Sequence, residues 1–163
     1  MSIKFTKITA DDISFLNETR NLVSEEFLHD SRKFTYEECL DWFHKFNPDY
    51  RIIWVNDEKI GYFRLSNHSR TNKNIYIGAD VHPSFQGKGY AKQAYTKFIP
   101  LLFDEYDLHK ISLEVLSTNH RAIALYEKIG FKYEGSKRDE VLKSNTFVDS
   151  IIMSILRKEY ESK

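Results

Sequence analysis

Two sets of residues in this chain have the types and spacing to do chemistry. The first is Gln86-Gly87-Lys88-Gly89-Tyr90-Ala91, preceded by the turn His82-Pro83-Ser84-Phe85 and followed by Lys92-Gln93-Ala94-Tyr95, which opens a run of helical spacing. Glycines in a strand-to-helix turn let the backbone approach an anion with no Cβ in the way, and the first N–H groups of the helix point at that anion. Such a turn is a phosphate cradle, and Lys88 and Lys92 add positive charge beside it. Its spacing is neither that of a Walker A loop nor that of the G-x-G-x-x-G dinucleotide fingerprint. The second set is Asn119 and Tyr126, seven residues apart in another helical run. That separation is two turns, roughly 10 Å along one face. A phenol, with an ordinary pKa of about 10, can give its proton to a developing thiolate, whose thiol has an ordinary pKa of about 8.5, at little cost.

The details of both stretches carry a resemblance. Gln86, Gly89 and Ala91 occupy the defining places of the element [QR]-x-x-G-x-[GA]. Downstream, Lys110-Ile111-Ser112-Leu113-Glu114-Val115 alternates like a strand, and residues 119–131 read N-x-x-A-x-x-x-Y-x-x-x-G-F. In this order and at this separation the chain resembles the GNAT superfamily of acetyl-CoA-dependent N-acetyltransferases, from about Gly61 to Leu156. The resemblance implies an α/β fold whose mixed, mostly antiparallel twisted sheet is flanked by helices and splayed at the acetyl-CoA site. It implies that the backbone of Ala79, Asp80 and Val81 pairs with pantetheine and turns an N–H to the thioester oxygen. It further implies that residues 86–91 with Lys92 hold the pyrophosphate, and that Asn119 contacts the carrier or an ordered water. Tyr126 takes the place of the general acid in a direct attack through a ternary complex. Many members carry a glutamate base where Tyr76 stands here, which leaves Asp80, His82 or water as the base.

Positioning these groups calls for a particular order of elements. Ile3-Lys4-Phe5-Thr6-Lys7-Ile8 alternates as a half-buried strand, and Thr9 to Asp12 supply capping groups for a helix through Leu16 towards Val23. Thr35-Tyr36-Glu37-Glu38 has the form of a capping box before a second helix that ends near Asn47-Pro48. Residues 51–55 and 59–65 are β-rich runs joined by the turn Asn56-Asp57-Glu58, and a polar loop over residues 66–73 leads to the strand of residues 74–81. The helix after the cradle aligns Ala91, Ala94, Tyr95, Phe98 and Leu102 in one apolar stripe, with a kink expected at Pro100. Gly130 ends the next helix, and residues 131–133 and 145–156 close the chain as two strands. The expected order is β-α-α-β-β-β-α-β-α-β-β in one domain over residues 1–163.

Composition narrows the partners. Twenty-four basic and twenty-four acidic residues cancel, so no global field exists to hold nucleic acid. A single cysteine, Cys39, builds neither a disulfide framework nor a thiolate metal site, so no metal is expected and a reducing compartment fits. No apolar run reaches the roughly 18 residues that span a bilayer, so a cytoplasmic protein without membrane association is expected, with a homodimer as one possible assembly. The acceptor implied by the resemblance is a primary amine. Residues 84–89 and 119–131 look like spermidine and diamine acetyltransferases. Arg20-Asn21, the helix from Glu38 to Trp42 and the ending Val148 to Met153 look more like acetyltransferases of nucleotide-linked amino sugars. The latter is the preferred acceptor, with Arg20, Arg32 and Arg51 as partners for a diphosphate. Polyamine binding asks instead for carboxylates, and residues 1–50 hold ten acidic against six basic side chains. An acetyltransferase of protein amino termini and a non-catalytic acyl-CoA-binding module are the remaining alternatives. Asn119 and Tyr126 speak against the module, because a pure binder needs no acid for a thiolate.

Overall fold

The computed structural model describes residues 1–162. Its elements are β1 (Ile3–Lys7), α1 (Ile13–Phe27), α2 (Tyr36–Phe46), β2 (Asp49–Val55), β3 (Glu58–Ser69), β4 (Asn74–Val81), α3 (Tyr90–Glu105), β5 (Lys110–Leu116), α4 (His120–Ile129), β6 (Lys132–Lys143), β7 (Thr146–Leu156) and a short α5 (Arg157–Glu161). The strands hydrogen-bond in the order β1-β2-β3-β4-β5-β7-β6. β4 and β5 run parallel, while β1/β2, β2/β3, β5/β7 and β6/β7 are antiparallel. This is the mixed, mostly antiparallel sheet with helices that the sequence leads one to expect. No helix among the described residues is long and apolar enough to cross a membrane.

The chain divides into two compact units, the first formed by Met1–Leu65 and Ala79–Ala94. Its core gathers Ile8, Ile13, Leu16, Cys39, Ile52 and Tyr62, with Phe15, Phe34, Trp42 and Tyr50 packed against them. α2 starts where Thr35 and Glu38 cap each other, Glu38 N–H donating to Thr35 Oγ1 at 3.1 Å and Thr35 N–H to Glu38 Oε1 at 3.0 Å. It ends at Asn47, which takes the left-handed conformation. Cys39 is buried, and desolvation pushes its thiol above the usual value. β2 and β3 are joined by Asn56 and Asp57, both at positive φ as a two-residue hairpin turn requires. Their register shifts so that Ile53 faces Gly61 and Trp54 faces Lys59, which leaves Ile60 as a bulge.

The second unit comprises Ser66–Gly78 and the chain from Tyr95 onward. Tyr95, Phe98, Ile99, Leu102 and Phe103 of α3 are buried in it, as are Ile111, Leu113, Met153 and Ile155. Of the apolar stripe expected on α3, Ala94, Tyr95, Phe98 and Leu102 are buried and Ala91 is half-buried. α3 runs on through Pro100 to Glu105. Two strand lengths depart from expectation. β3 continues to Ser69 through the segment expected as a loop, and β6 extends to Lys143, well past Tyr133. Both extensions are largely exposed, so they lack the apolar alternation that marks a half-buried strand. Bulges at Glu134 and over residues 138–140 further break the pattern in β6.

β3 and β4 come close at Gly61. A Cβ there would lie 2.3 Å from the backbone oxygen of Asp80 and 3.0 Å from Val81 Cα. Gly61→Ala is therefore expected to cost about 1–3 kcal/mol, as overpacking against a backbone that cannot retreat. Urea unfolding should show this as a lower midpoint at unchanged slope, and a wild-type midpoint would mean that the two strands part freely.

Candidate functional site

The glycine turn belongs to the first unit. Gly87 and Gly89 have φ of 76° and 80°, in the left-handed region where a side chain is strained. A one-turn 3-10 helix, Pro83–Phe85, precedes them, and Gln86 Nε2 reaches back to donate to the carbonyl of Val81 at 2.9 Å. That bond ties the turn to the end of β4. The first helical bond of α3 runs from Gln93 N–H to Gly89 O, so the amides of Tyr90 and Ala91 stand before the ladder begins. Gln86 to Gly89 are exposed, and beyond the position of a Cβ on Gly89 only Gln93 Nε2, at 3.8 Å, comes near. Lys88 Nζ sits 5.7 Å from the centre of the Phe85 ring, which holds its charge over the turn. The geometry is that of an anion cradle with open access.

β4 ends in residues whose side chains are all occupied. Asp80 is buried and forms an ion pair with Arg64, with Nε at 3.2 Å from Oδ2 and Nη2 at 3.2 Å from Oδ1. Both oxygens thus face one guanidinium, Oδ1 by a hydrogen bond from Nη2 and Oδ2 by charge. Burial, with the Asp80 carboxylate beside it, pushes the Tyr62 phenol well above its usual value. Tyr50 stacks on Tyr62 at 5.7 Å and is raised in the same direction by burial. His82 Nδ1 accepts from Ser84 N–H at 3.1 Å and caps the turn. The pairing of β4 with β5 is confined to Asn74, Ile75 and Tyr76.

Within the second unit, Asn119 caps α4 and accepts from Ala122 N–H at 3.2 Å. Its side-chain oxygen therefore has a structural duty besides the carrier contact expected of it. Tyr126 is half-buried and meets Tyr95 edge-on at 5.5 Å and Phe131 at 5.9 Å, an aromatic trio that fixes its ring. Gly130, at φ 121°, lets Phe131 N–H bond back to Tyr126 O at 2.9 Å and brings Phe131 to that ring. No cluster of metal-ligating side chains occurs among the described residues.

The three arginines proposed for a diphosphate are engaged within the first unit. Arg20 donates to the backbone oxygens of Arg32 at 2.6 Å and Asp30 at 3.2 Å, and its guanidinium lies 4.5 Å from the Phe34 ring centre. Arg32 pairs with Asp30 at 2.7 Å and holds that carboxyl down at about 2. Arg51, buried, is paired with Asp49. Together with Asn21, which bonds both the N–H and the carbonyl of Phe34, Arg20 pins the loop between α1 and α2. A sequence shows that such arginines exist, but their partners are set by loop geometry that composition does not carry.

Comparison with known proteins completes the description. Residues 16–131 match the model of the family described as the acetyltransferase (GNAT) family. The chain is similar to the spermidine N(1)-acetyltransferase of Vibrio cholerae serotype O1, with 29% identity over 150 residues, 89% of this chain and 86% of that protein. It is also similar to YdaF of Bacillus subtilis, a candidate ribosomal N-acetyltransferase, with 30% identity over 103 residues; these span 63% of this chain and 56% of that relative. The crystal structure of spermidine N-acetyltransferase from Vibrio cholerae in complex with CoA and spermine has the same fold, at a TM-score of 0.88, 24% identity and 98% coverage of each chain.

The cradle has a direct test. A ligand held there at a hundredfold excess over its dissociation constant should stabilise the protein by about 2.7 kcal/mol. Gly89→Val places a β-branched residue at positive φ and should abolish the rise in melting temperature produced by acetyl-CoA, while circular dichroism still reports a folded chain. An undiminished rise would place the carrier elsewhere.

Proposed function

The chain belongs to the acetyltransferase (GNAT) family, and from that premise we propose that it moves the acetyl group of acetyl-CoA to a primary amine of a polyamine. It is an acyltransferase by family. The observation that carries the reading is the turn at the head of α3, with two glycines at positive φ and open amides. In the proposed reaction those amides and the helix dipole bind the pyrophosphate, and Lys88 and Lys92 add charge. The backbone of Ala79 to Val81 pairs with pantetheine and supplies an N–H for charge on the thioester oxygen. The carrier contributes an activated acyl group and a thiolate leaving group. Tyr126 gives that thiolate its proton, and its aromatic neighbours hold the phenol in one orientation.

The acceptor is corrected from the one expected first. A nucleotide-linked amino sugar would need arginine for its diphosphate, and Arg20 and Arg51 are committed to backbone oxygens and to Asp49, while Arg32 holds a surface ion pair with Asp30. The polyamine reading is supported by the spermidine acetyltransferases among the relatives and by the acidic balance of residues 1–50. Spermidine should accordingly be acetylated with a higher kcat/KM than a nucleotide-linked amino sugar or an amino-terminal peptide, followed by release of the CoA thiol. The reverse order would return the amino-sugar acceptor to first place.

Tyr126→Phe keeps the ring and removes only the proton. Because that proton moves as the C–S bond breaks, kcat and kcat/KM should fall together by about 10²- to 10⁴-fold, with folding and acetyl-CoA binding preserved. A kcat within about threefold of the unaltered protein, with chemistry rate-limiting, would assign the proton to solvent instead.

A further inference from the structure

His82, just beyond the end of β4, is held from four sides. Its Nδ1 accepts from Ser84 N–H, so Nδ1 carries no proton and the neutral ring keeps its proton on Nε2. Nε2 stands 3.4 Å from Oε2 of Glu18 on α1. The ring stacks on Phe15, with centroids 6.1 Å apart and planes at 22°, and meets Phe85 edge-on at 6.2 Å. The side chain is only 15% exposed, whereas that of Glu18 is 64% exposed. These contacts leave the imidazole one orientation, with its N–H end towards a carboxylate that solvent reaches. They also leave His82 no lone pair for an incoming proton, and Asp80 is already bound to Arg64. Glu18 is different. A carboxylate has about four lone-pair sites, and His82 engages one of them.

We propose that Glu18 receives the ammonium group of the acceptor and that His82 is the positioning residue that aims it. This rests on the acetyl-transfer reading, which gives the backbone next to His82 to the thioester end of the carrier. An aliphatic amine has an ordinary pKa near 10.4 and arrives charged, so a carboxylate beside the reacting carbonyl both selects it and orients its nitrogen. Its first proton then leaves to water at the exposed carboxylate.

The test is steady-state kinetics with spermidine and acetyl-CoA. Glu18→Gln keeps shape and solubility and removes the charge. The KM for spermidine should rise about tenfold to a hundredfold, as for loss of a charge-assisted hydrogen bond, while the KM for acetyl-CoA stays within about twofold. Glu18→Asp should recover part of the loss. His82→Asn retains an oxygen for Ser84 N–H but has no donor that reaches Glu18, so it should raise the spermidine KM severalfold and leave the acetyl-CoA thermal shift intact. A spermidine KM within about twofold of wild type in Glu18→Gln overturns the assignment while acetyl transfer stands. If the unaltered protein acetylates no amine, both fall.

Discussion

The structure turns on the contact between β3 and β4 at Gly61, where no side chain separates the strands. Ile60 O accepts from His82 N–H at 2.9 Å and Arg64 of β3 grips Asp80 of β4, while Gln86 returns from the glycine turn to the carbonyl of Val81 and ties that turn to the end of β4. The Arg64–Asp80 pair, its carboxylate buried and its guanidinium partly exposed, ties the two strands across this register. The far end of β4 is therefore committed to β3, while its pairing with β5 covers only Asn74 to Tyr76.

Legibility from the sequence followed the strength of local signals. The capping box at Thr35 and Glu38, the Asn56-Asp57 turn, the two glycines of the cradle and Gly130 each demand a particular backbone, and each appears where its residue type placed it. The end of β3 and most of β6 were not legible, because exposed polar residues carry no period when strand pairing rather than burial holds them. The Ile60 bulge was equally hidden.

Charge was the least legible property. Arg20 and Arg51 sit in a sequence as they would in a phosphate site, yet each closes a local structure, one pinning the loop before α2 and the other pairing within β2. Asp80 is paired with Arg64 of the neighbouring strand. Arg32 draws the Asp30 carboxyl to about 2, an ordinary surface ion pair despite the size of the effect. Whether a charged side chain binds a substrate or its own chain depends on backbone carbonyls and carboxylates that only the fold assembles.

Cys39 lies within the core of the first unit, with Sγ 3.2 Å from Asn17 Oδ1 and its thiol desolvated. Thiolate is the form that reacts, and burial withholds it. The chain's one sulfur nucleophile is thereby insulated from the electrophilic acyl carrier it is built to hold, so self-acylation at cysteine does not drain the acetyl donor.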